Sequence, residues 1–202
     1  MPPAEWDALA AAATARGIPP FMAAKFQPWY LSMILSMSPC VIRETAEGGK
    51  GLDHRLLVIA AQADIPTASL EPYTTIFELF SDDPVEEQIA LLSVRILPEQ
   101  LSEDAAATLQ EQYFEEQIMA ALGTSRVVTR PAVNLPAAEF DSLFDEFMAL
   151  LIRQRNESWI APIEAAEGDN IVVAAGALHL GGHHGILNLL QKRGYTLERQ
   201  DF

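Results

Sequence analysis

The chain has 202 residues, half of them apolar, with a formal net charge of −15, 13 Lys and Arg, and a single cysteine. That length supports one buried core and a single domain is expected over 1–202. The acidic balance argues against nucleic acid, which needs basic patches, and one cysteine excludes an internal disulfide framework or a thiolate zinc cage.

The N-terminal third predicts helices. Pro2 and Pro3 suit a helix start, Ala4 to Ala15 are strong helix formers, and Gly17 with Pro19-Pro20 ends the run. Glu5 and Asp7 stand where a signal peptide would carry basic residues. The longest apolar run, "WYLSMILSMSPCVI", is broken by serines and Pro39 and does not reach a membrane span. As written the chain therefore reads as cytoplasmic, or as periplasmic or extracytoplasmic if a signal peptide lies upstream of Met1. Its second segment, "PFMAAKFQPWYLSMILSM", is apolar on most sides, so Trp29, Tyr30, Met33 and Met37 are expected in the core.

From Leu52, "LDHRLLVIAAQAD" puts Leu52, Leu56, Ile59 and Ala60 on one helical stripe. "IPTASLE" follows and predicts a short strand closing at Glu71. Acids and Pro84 open the next helix, "DDPVEEQIALLSVRI", as the helix dipole favours. "SEDAAATLQEQYFEEQIMAAL" predicts a helix capped by Ser102 and ended by Gly123. A long helical pattern with Phe140, Leu143, Phe144, Phe147, Leu150 and Leu151 on its apolar face then runs to a turn at "EGDN". The β-branched run Ile171 to Ala175 predicts a central strand buried on both faces, followed by the helix "ILNLLQKR" and a last strand, "YTLER". The expected fold class is thus α/β, or α+β: a helix-rich domain around a small mixed β-sheet.

Residues 176–185 hold three of the four histidines and four of the eleven glycines. Gly176 lets the backbone leave the strand sharply, and Gly181, Gly182 and Gly185 keep the turn tight enough for a ligand to approach a helix N-terminus. Neither phosphate-loop spacing is present, so nucleotide binding is weakly supported. Imidazole instead suggests a divalent metal, with zinc, manganese and cobalt equally suited. His179, at the carboxyl end of the predicted strand, is a candidate ligand or a hydrogen-bonded core histidine, whereas His183 and His184 read as exposed turn residues.

"VVAAGALHLGGHHGILNLLQKRGY" resembles the C-terminal signature of the TraB/PrgY/GumN family, which includes the Tiki proteases that cleave Wnt proteins. The match runs through Gly176-Ala177-Leu178-His179, then Leu180, Gly181 and Gly185, then Arg193-Gly194-Tyr195. Two further stretches agree: residues 51–92, with a strand ending at Leu70-Glu71 and a later Glu87-Gln88, and "IRQRNESWIAPI", with Arg155, Asn156 and Trp159. The resemblance implies a Tiki-like metal-dependent hydrolase, peptidase-like, in which two Gly-x-x-His motifs converge on one site. Only the second is matched at a strand end. Gly51-Leu52-Asp53-His54 spells the letters of the first but opens a predicted helix. The expectation is that the family's N-terminal region is missing here and that the chain is inactive as written.

In that setting Glu71 becomes a candidate general base or metal ligand, or else an acid placed before a helix dipole. Arg155 is a candidate bidentate grip on a carboxylate or a substrate backbone, or else a surface charge late on a helix. His179 and Glu71 are the expected metal ligands, and the partner is a peptide or small-molecule substrate. The alternative implied by the family is a non-catalytic binding or sequestering protein, since its bacterial members are linked to pheromone shutdown and polysaccharide production.

Overall fold

A computed structural model describes residues 1–94, 96–132 and 135–200. Four helices open the chain, α1 (Pro3–Ala15), α2 (Pro20–Ala23), α3 (Pro28–Leu35) and α4 (Pro39–Ala46), and each begins on a proline. A ring-locked φ and a missing N–H cost nothing at a first helical position, so prolines punctuate this region instead of breaking it. Leu9 and Ala13 of α1, Ala23 of α2, and Leu31 and Leu35 of α3 form one apolar cluster with Leu92. Leu92 belongs to α7 (Val85–Val94), which packs along α3. The helix predicted to run on to Ile96 passes Arg95, which lies outside the described residues.

Arg16 closes this part of the molecule. It donates from Nε to Met37 O at 2.8 Å, and from its terminal nitrogens to Ala12 O, Leu35 O and Ser102 Oγ. The carbonyls at the ends of α1 and α3 are left without intrahelical partners, and one nearly buried guanidinium satisfies them. Ser102 therefore lies inside α8 (Glu99–Phe114) as an acceptor for Arg16 and is not its cap, which is Pro98. Gly123 likewise sits within α9 (Ile118–Thr129) and does not end it. Tyr30 and Met37, expected in the core, are 40% and 43% exposed, because the face that α3 turns inward carries Leu31, Ser32 and Leu35 instead.

Further helices are α5 (Leu52–Gln62), α6 (Thr75–Ser81), α10 (Ala137–Met148), α11 (Arg155–Glu164) and α12 (Ile186–Lys192). On α5 only Leu56 and Ala60 of the expected stripe are partly covered; Leu52 and Ile59 are exposed. Between α10 and α11 the chain passes through a π-helical segment, Ala149–Gln154. Trp159 and Ile160 of α11 and Ile186 of α12 make a second apolar cluster, against which Leu70 and Ala175 pack.

The described residues contain no β-strand, so the fold is all-α and the expectation of an α/β or α+β domain around a mixed sheet is overturned. All three predicted strands are irregular. Ile171, Val172 and Val173 are 45%, 82% and 40% exposed instead of buried on both faces. The reason is pairing: β-branched composition favours a strand only when a neighbour supplies the ladder, and among the described residues none of these segments hydrogen-bonds to another through its backbone.

Candidate functional site

Three residues far apart in sequence meet where the second apolar cluster reaches the surface. Arg155 opens α11, Glu71 ends the irregular segment before α6, and His179 ends a one-turn 3-10 helix, Ala177–His179. Arg155 donates to Glu71 twice from Nε, at 3.2 and 3.1 Å, and once from a terminal nitrogen at 2.7 Å. Trp159, one turn further along α11, donates its indole N–H to the other Glu71 oxygen at 2.9 Å. Burial alone would raise the Glu71 pKa, but the bonds from Arg155 and Trp159 outweigh it and hold the carboxyl below its ordinary value.

His179 is oriented from behind. Asn156, fully buried beside Arg155, donates through Nδ2 to His179 O at 3.1 Å and to His184 O at 2.8 Å. Those two donations place the Asn156 oxygen opposite, where it must accept from His179 Nδ1 at 2.6 Å. The proton therefore sits on Nδ1 and the Nε2 lone pair faces the guanidinium, with Arg155 Nη1 at 3.4 Å. Burial and then the Arg155 charge lower the imidazole pKa to about 4, against a smaller opposing pull from Glu71. The ring lies 4.4 Å from the Trp159 ring, and the guanidinium covers the same indole at 4.9 Å.

The structure thus brings together Glu71, Arg155 and His179, and gives roles to Asn156 and Trp159, which the resemblance names without one. A sequence signal for these two exists: Arg155 and Trp159 are four apart on one helical face, and Asn156 sits next to the arginine. The glycine turn is shaped by packing. The Met119 side chain of α9 lies over Gly181 and Gly182, where an added Cβ would come 3.4 and 2.9 Å from it. Gly185 is tighter still, its Cβ position 2.2 Å from Gly181 O, while Gly176 has ordinary space beside the His179 ring. His183 and His184 meet edge to face in the exposed part of the turn, and His184 approaches Glu157 at 3.9 Å. His54 lies on α5 beside Lys50 and Arg55.

The family resemblance implies a divalent metal, and the donors can be tested against one. His179 Nε2 is a neutral, oriented imidazole acceptor, as a metal ligand must be. The rest of the set does not fit. Both Glu71 oxygens are taken by Arg155 and Trp159, and a guanidinium stands where a second cation would approach. A catalytic zinc takes three protein ligands, and among the described residues no three His, Cys, Asp or Glu side chains converge. Nor, among those residues, is any helix long and apolar enough to cross a membrane.

No curated protein and no solved structure matches the chain. The TraB/PrgY/gumN family matches it over residues 1–199, which takes in the C-terminal His179 turn, the Arg155 helix and Glu71 together. The chain belongs to the TraB/PrgY/gumN family.

Proposed function

We propose that the Glu71–Arg155–His179 cluster is a hydrolase-type site held in an inactive, binding-only form. One observation carries this reading: Arg155 donates both to Glu71 and toward His179 Nε2, so each acceptor that could engage a metal or a water already faces the same guanidinium. A carboxylate with depressed pKa is a poor base, and an imidazole with a pKa of about 4 takes up little proton at neutral pH. What the cluster retains is shape and a partly exposed, internally neutralised ion pair at the end of a glycine turn.

A working divalent-metal hydrolase is the second reading, and the His179 tautomer favours it, because Nε2 is deprotonated and aimed outward from the Asn156 bond. Calorimetric titration of the chain and of His179→Ala with zinc and with manganese, beside a peptidase assay, separates the two. Weak, non-stoichiometric heats and no turnover are expected. Tight one-to-one binding that disappears in His179→Ala, together with peptide cleavage, would establish the hydrolase instead.

A further inference from the structure

His183 and His184 are the two central residues of a tight turn, closed by the Gly185 N–H donating to Gly182 O at 3.1 Å. Gly182 opens the turn at φ +82°, a conformation glycine adopts without strain. Both histidines are fixed through their carbonyls. Asn188 Nδ2 donates to His183 O at 2.6 Å, and the fully buried Asn156 donates to His184 O at 2.8 Å. Two exposed imidazoles therefore stand on an anchored backbone.

Their ring nitrogens face one another. His183 Nδ1 lies 3.4 Å from His184 Nε2, with the rings at 73°. That is long for a hydrogen bond, and only one of the two nitrogens could donate. Two nitrogens each bound at about 2.0–2.1 Å to one tetrahedral ion lie about 3.3–3.4 Å apart, which is the separation seen here. The far side of His184 completes the pattern. Its Nδ1 is 3.9 Å from Glu157 Oε1, so a carboxylate stands behind the imidazole, as it does behind histidines that ligate metals. Arg153 and Lys192 are also felt at His184 and oppose Glu157. No strongly negative field draws a cation here, so an ion must be held by coordination.

We propose that His183 Nδ1 and His184 Nε2 chelate a nitrogen-preferring divalent ion of the zinc, copper and nickel class, with water in its remaining positions. The site uses none of Glu71, Arg155 or His179, so it stands whether that cluster binds or cleaves. With two protein ligands instead of three it binds weakly, and gives no sharp one-to-one step in calorimetry.

The test titrates the full chain with zinc alone at neutral pH and follows the histidine ring nitrogens by NMR. Saturable shifts are expected at His183 Nδ1 and His184 Nε2, larger than any at His54 or His179. His183→Ala and His184→Ala should each weaken binding at least about tenfold, and Glu157→Gln, behind the ligand, by roughly tenfold. His179→Gln should leave the affinity unchanged, which separates this site from the metal-hydrolase reading. Magnesium, which seeks oxygen ligands, should move neither ring. Shifts led by His179 or His54, or an unchanged affinity in both alanine variants, would overturn the proposal. So would equal shifts with magnesium, because the rings would then report surface charge and no coordination.

Discussion

Asn156 and His179 hold each other in a closed exchange: the imidazole Nδ1–H goes to the amide oxygen, and the amide N–H returns to the His179 carbonyl. The same amide reaches His184 O, so one fully buried side chain fixes a ring, its tautomer and the turn that follows. Asn156→Ala leaves one N–H and two carbonyls unpartnered and should cost about 2–4 kcal/mol in urea unfolding. Asn156→Asp keeps the acceptor and adds a negative charge, which favours imidazolium. NMR titration should then place the His179 pKa above about 4.

Stability should fall between pH 6.5 and about 4 for a definite reason. In that window an unfolded histidine takes up a proton that folded His179 refuses, so the unfolded state binds more protons and stability rises with pH. The contribution is fully present above pH 6.5 and is on the order of 3 kcal/mol. Glu71, whose pKa is also depressed, acts in the same direction but only below the ordinary carboxylate range. Denaturant melts of the wild type and His179→Gln across this window should show the slope flattening in the variant.

Arg155 and Glu71 are 14% and 19% exposed at their side chains, shielded enough for the pair to count. Arg155→Met leaves Glu71 with Trp159 alone and should cost roughly 2–3 kcal/mol, whereas Glu71→Gln, which can still accept, should cost about 1. The double variant should lose less than the sum of the two, by chemical denaturation, because the second change removes a group already stranded. Arg155→Met should also bind zinc more tightly than the wild type in calorimetry, since the guanidinium no longer competes for Glu71 and His179.

Two glycine substitutions should have opposite signs. Gly185→Ala would bring its Cβ 2.2 Å from Gly181 O and 2.4 Å from Leu180 O, both backbone atoms that cannot rotate away. A loss of about 3 kcal/mol or more is expected, with disturbed His179 resonances. Gly123 has nothing within 4 Å of its Cβ position and lies inside α9, so Gly123→Ala should raise stability by about 0.5–1 kcal/mol in the same assay.

Helices could be read from the chain because their signals are local: a proline at a first turn, acids beside it, and a 3.6-residue apolar stripe each act within one segment. The strand expected at Ile171–Ala175 failed because a strand is a relation between two segments, and composition describes only one of them. Glu71 and His179 could be singled out at the ends of predicted strands, and Arg155 through the resemblance of its stretch to the family's Arg-Asn helix. What each does could not, because the guanidinium that neutralises Glu71 and faces His179 is a matter of distances across 84 and 24 residues of chain. Trp159 belongs to the same stretch, yet its indole bond to Glu71 depends on where α11 points.

That aim originates in the π-helical stretch Ala149–Gln154, directly ahead of Arg155. A π turn carries one residue more than an α turn, so everything after it is rotated about the helix axis by roughly 100° relative to an uninterrupted helix from α10. The cluster is therefore indexed to a miscount. Deleting one residue from Ala149–Gln154 would remove the surplus and keep the phase, whereas winding the same residues as regular α-helix would turn Arg155, Asn156 and Trp159 together off the His179 turn. Each of them would still be present and still helical. The placing of the whole cluster thus depends on one surplus residue in a stretch that holds no histidine.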